Sequence, residues 1–228
     1  MSVISDVVAV PADRLTLPGD FVVPEGARAV VLFAHGVHTP RSHPRIQALA
    51  GELQRAGFGT LSMDMFSETE ARRAELVQGQ PVDLERLGRR LVAAVDWLKA
   101  QSDTRALPVV LFAAGAEAAV ALRAAADLPD RVLTVISWAG QPELADEVLD
   151  RVRTPVLFVT GGHTPEAVPA IRQAADRLEA TRELADRVPA PHSVREVRTA
   201  SHRFDDSDAL DRAAEVTQEW IDAHLRSG

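Results

Sequence analysis

Cysteine is absent from this sequence. That excludes disulfides, thiolate metal ligands and a thiol nucleophile together. Positive charge is scarce beside negative: 25 lysines and arginines face 33 aspartates and glutamates, a formal net charge of −8. A nucleic-acid partner therefore has no electrostatic support. The acidic excess is spread along the chain, as on a soluble surface. Lysine is nearly missing, Lys99 being the only one, while arginine and alanine are abundant. No stretch approaches the roughly 20 apolar residues that cross a bilayer, so no membrane partner is expected. Residues 1–10 carry no basic segment leading into a long apolar one. No signal peptide is expected, and the cytoplasm is the default location. No cofactor is expected either, and the spacing of His, Asp and Glu gives no direct support for a metal.

What is present suits one globular α/β domain over residues 1–228. Hydrophobic residues make up 46% and charged residues 25%, enough to bury one sizeable core. Val3 to Val10 and Leu15 to Val23 are short apolar runs punctuated by prolines, and they fit an edge hairpin. Ala29 to Ala34, Phe58 to Met63, Pro108 to Ala113, Val132 to Ser137, Pro155 to Thr160 and Ser193 to Arg198 read as strands, the more continuous ones buried on both faces. Between them fall helical segments: Pro44 to Ala56, Val82 to Gln101, Ala116 to Ala126, Pro142 to Asp150, much of Pro165 to Arg187, and Asp208 to Leu225. In Val82 to Gln101, Leu84, Leu87, Leu91, Val95 and Leu98 share one face. Such alternation predicts a mostly parallel sheet with helices on both faces. Arg182 to His192, with two prolines, reads as a surface loop.

In open α/β sheets, ligands bind at the carboxyl ends of the strands. After the first core strand comes His35-Gly36-Val37-His38, a turn able to offer a backbone N–H to a developing oxyanion. After the second comes Asp64, read as a turn aspartate bonded to loop backbone, with Ser67 just beyond. After the third comes Ala113-Ala114-Gly115-Ala116-Glu117, leading into a helix. This is the place of a nucleophile elbow, G-x-S-x-G. Ala113 keeps the first small residue, Gly115 stands where the serine belongs, and Glu117 replaces the second glycine. Glycine adopts positive φ without strain, so the turn survives without the hydroxyl. Glu117 is expected to swing outward in the first helical turn, or else to stand beside the pocket. His202, on the loop after the last strand, sits where a general base belongs. The place for a triad acid holds Gly161-Gly162-His163-Thr164-Pro165, with no carboxylate before Glu166.

These segments together resemble the dienelactone-hydrolase-like α/β-hydrolases, in particular the small bacterial ones found alone or fused to phosphoribosyltransferase domains. The resemblance covers nearly the whole chain. It rests on Val30 to Gly36, Ala56 to Leu61, Val92 to Leu98, Leu107 to Ala114, Pro129 to Val132, Thr154 to Gly162 and Ser201 to Phe204. It implies an α/β-hydrolase fold with an N-terminal antiparallel hairpin and no large cap domain. It carries His202 over as the catalytic base, and Val37 and Ala116 as backbone donors of an oxyanion hole. The departures fall on the chemistry. Gly36-Val37-His38 replaces the usual Gly-Ser-Gly, Gly115 replaces the serine, and His163-Thr164 replaces an arginine and an aspartate.

Three functions stay open at this point. The first is a binding protein or pseudoenzyme that takes a small ester-, lactone- or carboxylate-like ligand without triad hydrolysis. The second is a non-hydrolytic acid–base enzyme, an isomerase, lyase or hydratase, using His202 and Glu117 with His38 and His163 nearby, a set that could also hold a divalent metal. The third is an esterase or lactonase with a displaced nucleophile, for which Ser67 and Ser201 lie on suitable loops, or with a water activated by His202.

Overall fold

A computed structural model describes residues 3–36, 39–76, 83–161, 179–197 and 207–226. Its frame is an eight-stranded sheet. The strands are β1 (Val3–Ala12), β2 (Leu15–Pro24), β3 (Val30–His35), β4 (Gly59–Asp64), β5 (Val109–Ala114), β6 (Thr134–Trp138), β7 (Val156–Gly161) and β8 (His192–Val197). They lie in the order β1-β2-β4-β3-β5-β6-β7-β8. β1 pairs antiparallel with β2, and β2 antiparallel with β4; every later pairing is parallel. The expected hairpin on a mostly parallel sheet is therefore present.

The parallel strands form where the sequence runs apolar without interruption, because helices cover both sides of them. Successive residues of each strand feed opposite layers. Val30, Leu32, Leu111 and Ala113 join one core with helices α3 (Leu84–Ala100) and α4 (Glu117–Asp127). Val31, Phe33, Val110 and Phe112 join the other, with α1 (Pro44–Arg55) and the closing helix Ser207–Leu225. The second core carries an aromatic ladder. Phe33 and Phe112 have ring centroids 4.7 Å apart, and Phe112 and Trp138 5.2 Å apart. The closing helix is tied to this side by indole hydrogen bonds. Trp138 Nε1 donates to Thr217 Oγ1 at 3.3 Å, and Trp220 Nε1 to Thr134 Oγ1 at 2.7 Å.

The hairpin runs through its prolines, with Pro11 opposite Thr16 and Pro18 opposite Ala9. Its turn, Asp13-Arg14, has φ of 47° and 64°. Two consecutive positive φ values match the twist of a tight hairpin. β1 is the edge of the sheet, with Val3 and Val7 exposed.

Two elements add to the expected pattern, and one expectation needs correction. The helix expected from Pro142 is present, as a 3₁₀ helix over Pro142–Arg151. An unexpected helix, α2 (Glu68–Leu76), follows β4. Residues 182–192 are not a plain surface loop. Residues 179–185 are helical, and Ala185, Val188 and Ala190 are buried in the α3–α4 core. Most of the expected helix Pro165 to Arg187 lies outside the described residues.

Candidate functional site

The carboxyl ends of β3 and β5 meet at the centre of the sheet, and the site is built there. β5 ends at Ala114 and α4 begins at Glu117, leaving two residues for the turn. Gly115 makes it with φ +61°. The neighbouring strand end braces the bend. Gly115 N–H donates to the Trp138 carbonyl at 3.1 Å, and the Gly115 carbonyl accepts from Gln141 N–H at 3.1 Å. Ala139, between them, has φ +42° and donates its own N–H to Val159 at 2.8 Å. Positive φ outside glycine is strained, so the surroundings hold this turn in place. Among the described residues, a Cβ on Gly115 would meet only Glu117 Oε2, at 3.8 Å. The described residues leave room for a side chain at residue 115, and the backbone conformation disfavours one.

Glu117 is half-buried and does not swing away into solvent. Its carboxylate lies over Gly36, the first residue after β3. A Cβ on Gly36 would overlap Glu117 Oε1 and Cδ, with Oε2 at 2.9 Å. Only a glycine leaves that space. The carboxylate thus stands between the β3 turn and the β5 turn, so the reading of Glu117 as a carboxylate beside the pocket is the one the geometry favours. Ala116 precedes it at the N-cap in helical conformation, without a side-chain cap.

His35, the last residue of β3, lines the same cleft with Ile46, Phe112 and Thr39. It is 3% exposed, and its ring lies parallel to Phe33 at 5.9 Å. Nε2 has no hydrogen-bond partner among the described residues. Burial lowers the His35 pKa to about 3, with Arg41 and His43 adding to the effect, so the ring is neutral at pH 7. The cleft is small, with a cavity volume of about 10 Å³ between the described residues.

The loop before α1 is anchored from β4. Asp64 accepts from Arg41 N–H at 2.8 Å and pairs with Arg41 Nε at 3.2 Å. Arg41 also binds Asp20. Burial raises the Asp64 pKa, against the pull of Arg41. Asp64 is therefore the loop-binding turn aspartate that the sequence suggests. Ser67 is the cap of α2: its Oγ accepts from Glu70 N–H at 3.3 Å and lies 3.1 Å from Glu70 Oε2. That hydroxyl is engaged as a helix cap.

Gly36, Gly115, Ala116 and Glu117 come together at these two strand ends. Val37, His38, His163, Ser201 and His202 lie outside the described residues. His35 was passed over as part of a turn motif. Its signal was a lone titratable residue closing a wholly apolar strand, which places an imidazole at a buried strand end. Among the described residues, no three His, Asp or Glu side chains are grouped to hold a metal. No described helix is long and apolar enough to cross a membrane.

No protein-family model matches the chain. Curated proteins from two strains of Mycobacterium tuberculosis, provisionally named phosphoribosyl transferases, are 34% identical over 218 residues. That is 96% of this chain and 46% of theirs, so the chain spans about half the length of these relatives. Among solved structures, Est1E from Butyrivibrio proteoclasticus has a TM-score of 0.75 at 16% identity, covering 96% of this chain and 99% of its own. A dienelactone hydrolase-like promiscuous phosphotriesterase from metagenomic libraries has a TM-score of 0.74 at 19% identity, covering 98% and 99%. At these identities the likeness is one of fold. A dienelactone hydrolase from Anabaena variabilis is nearer, with a TM-score of 0.82 and 33% identity over 96% of this chain and 97% of that one. With one residue in three shared over almost the full length of both, the chain belongs to the dienelactone-hydrolase-like family of α/β-hydrolases.

Proposed function

We propose that this family member binds a small molecule in the cleft above β3 and β5 and does not hydrolyse esters through a serine triad. One observation carries the reading: the elbow residue is Gly115, at φ +61°, with the Glu117 carboxylate beside it. Glycine has no group to attack a carbonyl. An anion at this spot opposes the charge that acyl transfer builds on the carbonyl oxygen. The cytoplasm is the setting that goes with this reading.

The test is a p-nitrophenyl acetate assay of the wild type and His202→Ala. Equal background rates are expected from the two proteins. Saturable turnover by the wild type that disappears in His202→Ala restores the hydrolase reading. A thermal-shift screen of small metabolites reports binding directly, because a ligand of the native state raises Tm.

A second reading is favoured by one further observation, the Glu117 carboxylate turned into the cleft. In it, Glu117 and His202 move a proton on a bound substrate, as in an isomerase, lyase or hydratase. Deuterium exchange into a ligand found by the screen, lost in Glu117→Gln, distinguishes it from simple binding.

A further inference from the structure

We propose that residues 39–43 are a strap that closes the cleft, latched by Arg41 on Asp20 and Asp64, and that a ligand enters when this latch lets go. The proposal rests on the binding reading above and supplies its route of entry.

The size of the cleft is the first argument. Its volume of about 10 Å³ has space for about one water molecule. A small organic ligand needs far more, so a wall must move. Most of the described walls cannot. Ala34 and His35 belong to β3, and Phe112 and Ala114 to β5. Both strands are paired on each side, so shifting them breaks the sheet. Glu117 opens α4, whose next residues, Ala118 and Ala119, are fully buried. Ile46 is buried on α1. Thr39 differs, because residues 39–43 are neither strand nor helix.

The bonding of the strap is the second. His43 N–H donates to the Pro40 carbonyl at 2.8 Å, closing a turn, and the His43 ring accepts from Arg45 N–H at 3.3 Å at the start of α1. The turn is thus tied to itself and to its own helix. Among the described residues, every hydrogen bond and ion pair from it to the sheet comes from Arg41. The Arg41 N–H donates to Asp64 Oδ1 at 2.8 Å, and the guanidinium pairs with Asp64 at 3.2 Å and with Asp20. Asp64 ends β4, and Asp20 stands on the adjoining β2, opposite Ser62. The catch therefore sits on two strands that do not line the cleft. The three side chains are 24%, 25% and 37% exposed, in the order Arg41, Asp64, Asp20. Ion pairs so open to water are weak, which lets the strap lift without unfolding the domain. His35 is what the strap covers. It is 3% exposed, and its Nε2 lacks a partner among the described residues. A buried polar atom in that state is costly, and opening gives it water or a ligand.

The experiment is chemical footprinting of the full chain with diethyl pyrocarbonate at pH 7, read histidine by histidine by peptide mass spectrometry. The reagent acylates a neutral imidazole that it can reach, and His35 is neutral at this pH. In the wild type, His35 is expected to react much more slowly than His192. Arg41→Gln should speed His35 by about tenfold and leave His192 and His224 nearly unchanged, as a local opening does. Asp20→Asn, which removes one arm of the catch, should speed it by less. Tm of both variants reports folding, and Asp20→Asn carries the test if Arg41→Gln does not fold. Unchanged His35 reactivity in the folded variants overturns the strap. So does a rise shared equally by His192 and His224, or a wild-type His35 as reactive as His192. Ester turnover dependent on His202 overturns the binding reading instead, and leaves the His35 reactivities as they are.

Discussion

Gly115 invites reversal. Among the described residues, a serine at residue 115 meets only Glu117 Oε2, at 3.8 Å from its Cβ, but it must sit at φ +61°. A non-glycine residue in that region costs about 1–2 kcal/mol. Gly115→Ser should therefore fold with a Tm lower by several degrees, read by differential scanning calorimetry. It should gain no esterase activity on p-nitrophenyl acetate, because the carboxylate beside the new hydroxyl persists. Adding Glu117→Gly, which restores the small residue of the elbow pattern, is expected to give a measurable rise over the single variant. The sequence displayed the glycine of the turn openly, since the strand–turn–helix register locates residue 115. It was less informative about Glu117. A carboxylate at a helix start has two directions open to it, and the choice depends on Gly36, eighty-one positions away in the chain.

His35 gives a pH prediction. Its folded pKa is about 3 against an ordinary 6.5, so below pH 6.5 the unfolded chain takes up a proton that the folded chain refuses. Stability is flat in this respect above pH 6.5 and falls as the pH drops from 6.5 toward 3. Urea unfolding between pH 7.5 and 5 should show the decline, and His35→Phe should remove most of it. An equal slope in that variant would contradict the assignment.

Helix α2 was hidden from the sequence because Glu68–Leu76 carries no apolar stripe. Its hold on the fold is polar. Glu70 forms a two-pronged pair with Arg90 on α3, both contacts at 2.8 Å, and Arg90 also donates to the Met65 carbonyl at 2.8 Å. Ser67 completes a reciprocal cap, its N–H donating to Glu70 at 3.0 Å. The spacing Ser67-x-x-Glu70 is a capping box and was the signal available. Arg90 is 1% exposed, so removing Glu70 leaves a buried cation unpaired. Glu70→Ala is expected to cost about 3 kcal/mol, and Arg90→Met with Glu70→Leu much less. Arg90 holds the Glu70 carboxyl at about 2 against an ordinary 4.5. The pair's contribution is thus complete above pH 4.5 and is lost as the pH falls toward 2. This window lies below most of the one set by His35, and the two variants separate them. The 3₁₀ form of Pro142–Arg151 had no comparable signal, since its buried Ala145, Val148 and Leu149 suit either helix type.

The sheet as a whole was the easiest part to foresee. β3, β5 and β7 each open with an unbroken apolar run of at least four residues, and burial on both faces is what removes polar residues from a strand. β6 was displaced by two residues at its start, because Val132 and Leu133 are as apolar as the strand they lead into. The stretch 182–192 misled because its charges and prolines outweigh three small apolar residues that reach the core. In each case the difference came from packing that no local window contains.

The outermost ribbon of the sheet has a practical side. Ten residues long, β1 offers one row of main-chain donors and acceptors to the surroundings, with Val7 77% exposed and Asp6 a charged neighbour on it. Unguarded margins of this kind recruit other molecules at high concentration and seed fibrils. A Val7→Lys variant should tolerate concentration and long storage better than the parent, as judged by light scattering, while melting at the same temperature.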